Sequence, residues 1–306
     1  MKRILVSGNV NLETNLAVGS FPVYYAPVRY AQFEINTNVG GVAYNVAKAL
    51  STLNDEVSLT AMLGNDAEGE RIRATLNQDN INTSMVKNNL KASPVSIVMR
   101  DDRGYRSIYT DTKDLQFSRF DFSDIDISQF DMVVACNVNF NRELIHKARA
   151  ANVPIATDVH VLDNPYDTYN EEFMQCADIL FLSDEKIFQK KRMFFETLKR
   201  TYPCKIIVMG CGKTGAMMYL RETDKVYHMA ALENTCVVNS LGAGDALFSS
   251  FVHFITNGYN PFEALKRAQI FASRKISFNG ASVGFMSAEE LERVAQEINL
   301  KITEFR

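Results

Sequence analysis

The sequence predicts an α/β protein: a mainly parallel central sheet covered by helices on both faces, with a small β lid. Three observations carry this. Short β-rich apolar runs alternate with amphipathic helical segments, the pattern of repeated strand–helix–strand units. Two stretches break the rhythm with β-forming residues, FPVYYAPVRYAQFEINT within Thr14–Thr37 and PVSIVMRDDRGYRSIYTD over Pro94–Asp111. Polar, glycine-bearing loops follow several strand candidates, at the carboxyl ends where parallel sheets bind ligands.

The elements follow in order. Ile4–Val6 is a first buried strand; Gly8, Asn9 and Asn11 break it too soon for a signal peptide. Ala43–Leu53 has helical periodicity, Val57–Leu63 reads as a strand and Glu68–Gln78 as a helix. Met132–Cys136, Ile155–Thr157, Ile179–Leu182 and Ile206–Met209 are short apolar runs suited to a sheet buried on both faces. Helices are predicted at Arg142–Ala150, Asp245–Asn257, Pro261–Phe278 and Ala288–Ile298. The last begins with a capping signature, Ser287 with Glu290 three residues on. The two interrupting stretches form the lid, strand and turn and strand, with Asp-Arg-Gly at one turn.

The 306 residues fit one large domain, 1–306, with lid segments at about residues 12–37 and 92–113. A composition of 46% hydrophobic and 23% charged residues is that of a globular protein, and a net charge of −3 offers no basic field for nucleic acid. Gln189-Lys190-Lys191-Arg192 is a short basic run read as a helix cap. No apolar stretch approaches the roughly 20 residues of a membrane span. The five cysteines include no CxxC pair and no zinc spacing, and are read as reduced thiols of a cytoplasmic protein.

Four loops carry candidate chemistry. Asn11 and Glu13 follow the first strand on one side of the chain; an amide beside a carboxylate suits adjacent hydroxyls, though a polar turn is the simpler reading of the loop alone. Gly40 and Gly41 open a helix that contains Asn45, a poor helix former that is expected to face something polar. A tight turn with a solvent-facing Asn explains the same residues equally well. Gly210-Cys211-Gly212-Lys213-Thr214-Gly215 matches GxGxxG but leads into the strand-like AMMYL, so it is a turn between strands. It is no P-loop either, because Ile207 stands where the first glycine is needed. Finally, Gly242-Ala243-Gly244-Asp245 offers backbone N–H groups to an anion and a carboxylate beside it. That carboxylate is either the cap of the following helix or a general base.

Taken together, these residues resemble the ribokinase family, the PfkB-type carbohydrate kinases. Asn239-Ser240-Leu241-Gly242-Ala243-Gly244-Asp245 matches its D-T-x-G-A-G-D signature, Gly40, Gly41 and Asn45 its paired glycines and asparagine, and Gly64-Asn65-Asp66-Ala67-Glu68-Gly69 its G-D-D-x-x-G segment. Two signatures in order and about 200 residues apart are more specific than either alone. The resemblance runs from Ile4 to Leu291. It implies a three-layer α/β/α sandwich with a β lid that often pairs two subunits, and ATP-dependent phosphorylation of a primary sugar hydroxyl. Asp245 would be the base, with Gly242, Ala243 and Gly244 forming the anion hole. Asn11, Glu13, Gly40, Gly41, Asn45 and Asn137 would hold the sugar. ATP would lie along Ser183, Gly212–Gly215 and Asn279–Gly284.

This chain departs from the family at four places, one of them Ser250, where a small Gly is typical. Where relatives carry N-x-x-E, it has Ser183-Asp184-Glu185-Lys186, so that Asp184 or Glu185 would take part in organising Mg²⁺, held mostly by water and ATP oxygens. Asn239 replaces an Asp that binds a monovalent cation in many relatives, keeping the oxygen and losing the charge. Glu13 replaces a more usual Asp. Two rival readings remain. A nucleoside kinase, such as a pseudouridine kinase, would stack a base on Tyr44 or on the lid residues Tyr24, Tyr25 and Tyr30. A catalytically impaired nucleotide or sugar sensor is suggested by Ser183 and Lys186.

Overall fold

The computed structural model describes residues 1–187, 191–233 and 236–305. The elements run β1 (Arg3–Ser7), β2 (Asn11–Gly19), β3 (Ile35–Gly40), α1 (Val42–Thr52), β4 (Glu56–Leu63), α2 (Ala67–Gln78), β5 (Val86–Asn88), β6 (Val95–Asp101), β7 (Arg106–Asp111), β8 (Met132–Ala135), α3 (Asn141–Ala150) and β9 (Ile155–Val161). They continue with α4 (Glu171–Cys176), β10 (Ile179–Ser183), α5 (Lys191–Thr201), β11 (Ile206–Gly210), β12 (Ala216–Leu220), β13 (Lys225–Met229), α6 (Ala243–Thr256), α7 (Pro261–Lys275), α8 (Ala288–Glu297) and β14 (Ile302–Glu304).

The large sheet has the order β14-β13-β12-β11-β10-β9-β8-β1-β4-β5. From β11 to β5 every pairing is parallel; β12, β13 and β14 extend it antiparallel. Alternate residues of one strand feed opposite faces, as a period of two demands. Ile4 and Val6 join a core covered by α1, α2, α6, α7 and α8, while Leu5 joins one with α3 and α4. A third cluster packs α5, through Phe194, Phe195 and Leu198, on β10 and β11.

The lid is a separate four-stranded sheet, β3-β2-β6-β7. The hairpin expected over Pro94–Asp111 forms, its turn held by the Asp101 carboxylate, which accepts from the N–H groups of Arg103 and Tyr105 at 3.0 and 2.9 Å. Thr14–Thr37 is strand only at its ends. Residues 20–34 contain no strand, in keeping with Pro22 and Pro27, which cannot donate to a ladder. Register places Asn38, Glu13, Ser96 and Thr110 side by side on one lid face, and Thr37, Thr14, Ile97 and Tyr109 on the other.

Helix ends correct the sequence reading in two places. The helix predicted from Asp245 starts at Ala243, and the one predicted to Phe278 ends at Lys275. The cap at Ser287 forms, its Oγ accepting from Glu290 N–H at 3.2 Å. Lys191 and Arg192 open α5, as the basic run suggested; Gln189 and Lys190 lie outside the described residues. No helix among the described residues is long and apolar enough to cross a membrane.

Candidate active site

The carboxyl ends of the parallel strands, the N-termini of α1 and α6 and the inner lid face converge on one place. Asn45, in the first turns of α1, donates from Nδ2 to Asp245 Oδ2 at 2.7 Å. One bond thus joins residues 200 positions apart. Asp245 is the third residue of α6 and does not cap it. The cap is Gly242 in the left-handed region (φ 79°), with no side-chain bond. A Cβ at Gly242 would lie 2.2 Å from the Ala281 carbonyl oxygen, so the loop is fitted to the segment after α7.

The start of α1 follows the same plan. Its cap is Gly41 (φ 92°), where a Cβ would lie 2.6 Å from Asn9 O and 3.0 Å from Asn11 Oδ1. Asn11, paired with Gly40 across the lid ladder, donates from Nδ2 to Ser96 Oγ at 2.7 Å. The side-chain oxygens of Asn11 and Asn45 are buried and unpartnered. Such oxygens are costly unless a ligand donates to them. Glu13 Oε1 accepts from Asn15 Nδ2 at 3.1 Å.

The Gly242–Gly244 loop has fewer unbonded N–H groups than the sequence reading expects. The Ala243 N–H is taken by Ser240 O at 3.2 Å, which leaves Gly242 and Gly244 as the donors without a bond among the described residues. Gly244 is exposed, with open space where a side chain would be.

Two residues missed in the sequence, Asp158 and His160, complete the charge pattern. A bulge in β9 opposite β10 puts His160 at φ 58°, rare for a non-glycine residue. Its backbone N–H donates to Asp158 Oδ1 at 2.8 Å, and Nδ1 lies 3.5 Å from Asp158 Oδ2. Ligand atoms of Asp158, His160 and Asp245 all lie within 4.8 Å of one another. Burial works against the His160 imidazolium, but Asp158 and then Asp245 lift its pKa to about 9. It is therefore a cation between two carboxylates at neutral pH. Burial pushes the Asp245 carboxyl above the ordinary carboxylate range; His160 and Asn45 pull it back, and Asp158 adds to the rise. Glu13 is raised too, by burial first.

The third missed residue is Lys275, fully buried at the end of α7. It falls on the apolar stripe Ala264, Ala268, Phe271, Lys275, where a lysine is out of place. That mismatch was legible in the sequence. Asp158 and His160 follow the predicted strand run Ile155–Thr157, and nothing local in the sequence sets them apart.

The other predicted residues are engaged in local contacts to different degrees. Asn137 follows β8, but its Nδ2 donates to Asn170 Oδ1 at 2.9 Å. Ser183 ends β10 opposite Gly210, and Gly212–Gly215 is the expected tight turn into β12. Asp184 is ion-paired with Lys191, while Glu185 is exposed. Asn239 and Asn279 bond to each other at 3.0 Å, and Gly284 packs on Phe278. Tyr44 is a core residue, 2% exposed, whose hydroxyl donates to Asp79 at 2.7 Å.

Comparison with known proteins bears on the fold and the family. The chain is 22% identical over 319 residues to the ribokinase of Dictyostelium discoideum, covering 94% of this chain and 98% of that protein. A microbiome-derived acarbose kinase superposes with a TM-score of 0.87 at 22% identity, over 96% of this chain and 99% of that one. Arabidopsis thaliana ribokinase, solved with ribose and ATP, gives 0.83 at 20% identity, over 96% and 99%. Residues 1–287 match the family described as pfkB family carbohydrate kinase, and the chain belongs to that family.

Proposed function

We propose that this single-domain enzyme transfers the terminal phosphoryl group of ATP to a primary hydroxyl of a sugar, with Asp245 as general base. The bond between Asn45 and Asp245 carries the reading. It brings the hydroxyl-binding signature and the base together below Asn11 and Glu13. The Asn11 and Asn45 oxygens are positioned to accept from sugar hydroxyls. A hydroxyl set against Asp245 gives it its proton as the hydroxyl oxygen attacks the terminal phosphorus and the bond to the bridging oxygen breaks, releasing ADP, while the N–H groups of Gly242 and Gly244 face the charge on the phosphoryl oxygens. Protonated His160 and the Asn45 amide favour the ionised form of Asp245 against the rise that burial imposes. ATP is proposed to lie from Ser183 and the Gly212–Gly215 turn to Asn279–Gly284; a neighbour of the same fold was solved with ATP. Mg²⁺ would ride on the phosphates, with Glu185 rather than Asp184 available to it, since Lys191 holds Asp184.

The outer lid face exposes Ile35, Ile97 and Tyr109, with Tyr24, Tyr25, Tyr30 and Phe33 on the adjoining loop. Such a patch supports a homodimer formed through the lid. Light scattering of the intact protein tests it. All five cysteines are free thiols, in keeping with the cytoplasm. The burial of Tyr44 removes one support for a nucleoside kinase. An ATP-consumption assay over pentoses, hexoses and nucleosides decides the class. Turnover on a sugar is expected, and binding without turnover on every member would overturn the kinase reading.

A further inference from the structure

Lys275 lies where this kinase reading, borrowed from relatives, would place a monovalent cation, and the residues present do not fit one. Asn239, the position expected to bind it, has both ends of its amide engaged. Its Oδ1 accepts from Leu241 N–H at 2.9 Å, and its Nδ2 donates to Asn279 Oδ1 at 3.0 Å. Its carbonyl oxygen accepts from Lys275 Nζ at 3.1 Å. An added cation would have to share that oxygen with an ammonium group, without the carboxylate that attracts it in relatives.

We propose that Lys275 is this protein's own fixed cation, taking the place of an exchangeable monovalent ion behind the Gly242–Gly244 loop, so that the enzyme works without one. The surroundings suit a built-in charge. Lys275 is the last residue of α7, where the helix dipole favours a cation. Its side chain is 0% exposed, and among the described residues the Asn239 carbonyl is its one hydrogen-bond partner. An ammonium so placed is costly unless negative charge faces it. Burial lowers the Lys275 pKa to about 8; Asp245 and Glu13 supply negative charge that holds the ammonium form in place at neutral pH, and Arg106 opposes it. The loop that Lys275 grips is stitched to the same segment elsewhere, with Val238 and Asn239 N–H groups both donating to Ile276 O, at 2.8 and 3.0 Å. Lys275 is thus a positioning residue: it holds the start of the loop and lends it positive charge, and it touches no reacting atom.

The test is turnover with Mg²⁺ and ATP in potassium, sodium and tetramethylammonium salts at equal ionic strength. Wild-type turnover is expected to be the same in all three; activity that depends on potassium overturns the proposal. Lys275→Ala is expected to lower kcat about 10- to 100-fold, the range for residues that support a site from behind. KM for ATP should change less, and potassium or methylammonium should restore part of the rate where tetramethylammonium does not. Loss of rate with no ion-selective recovery also overturns it, because a merely structural lysine would behave that way. Should the alanine variant not fold, the wild-type salt series decides alone. Should the wild type phosphorylate nothing in any salt, the kinase reading falls instead. Melting temperatures then carry the test: equal values in potassium and sodium support the fixed cation, and a potassium-specific rise overturns it.

Discussion

Five of the described helices begin in two different ways. Helices α2, α7 and α8 are capped by their own side chains: Asp66 accepts from Gly69 N–H, Asn260 from Phe262 and Glu263, and Ser287 from Glu290. Helices α1 and α6 begin instead at a left-handed glycine with no side-chain bond. A helix N-terminus has donors that must be satisfied by something. In the first group a neighbouring side chain satisfies one or two of them locally. In the second group the cap carries no side chain, so donors are left for a ligand, and a polar residue in the first turns faces the site. The two uncapped ends meet at the bond between Asn45 and Asp245. The same comparison separates their tasks. The first turn of α1 carries no acid and suits neutral hydroxyls, whereas that of α6 carries Asp245, beside the place proposed for phosphate.

If the uncapped ends do chemistry, changes there should cut turnover more than stability. Asp245→Asn should have the largest effect, a fall in kcat of about 10²- to 10⁴-fold, the usual value of a positioned base. ATP affinity by calorimetry should stay close to wild type. Near-normal turnover would remove Asp245 from its role. Gly242→Ala comes next. It forces an L side chain into the left-handed region, at about 1–2 kcal/mol, and drives a methyl against Ala281 O. Denaturant unfolding should register that loss, and kcat should fall with it as the loop shifts. Unchanged kcat in a folded Gly242→Ala protein would show that this cap has no part in the reaction.

A smaller and more diagnostic effect is expected at His160. The base must be ionised, so activity should fall as pH drops through the raised pKa of Asp245. The His160 cation holds that pKa down. His160→Gln removes the cation, so Asp245 should keep its proton to higher pH. The acid limb of the kcat profile should therefore move upward in pH. A limb that stays in place, or moves downward, would mean that another group titrates.

The difference between the two kinds of helix start also explains what could be read in the sequence. Ser287 with Glu290 announced its cap because the whole interaction is local. The alternation of strands and helices was legible for the same reason, each element recording its own burial. The α6 start misled because a glycine loop followed by an acid looks locally like a cap. Only the contact with Asn45, 200 residues away, shows where the carboxylate points. Asp158 and His160 stayed hidden because a β bulge, set by the pairing with β10, turns them into the site. The last two strands at that end of the sheet, β13 and β14, were missed because few of their residues are buried, so no apolar run marks them. Lys275 was visible as an apolar-stripe lysine, but its partner Asn239 comes from another loop.

The smallest change is the control for the comparison. Ser287→Ala removes the Oγ that accepts from Glu290 N–H, at the start of a helix whose buried residues are Leu291 and Ala295. Loss of such a cap costs about 1 kcal/mol. The helix keeps its packing, so the fold should survive with a modestly lower unfolding midpoint. The cap bond is confined to residues 287–290, away from the residues that meet at Asp245. Turnover and the KM values should therefore match wild type. If Ser287→Ala lowered kcat as strongly as Gly242→Ala, glycine-started and side-chain-capped helices would not differ in function. The two helix starts at the site would then be only another way of ending a strand.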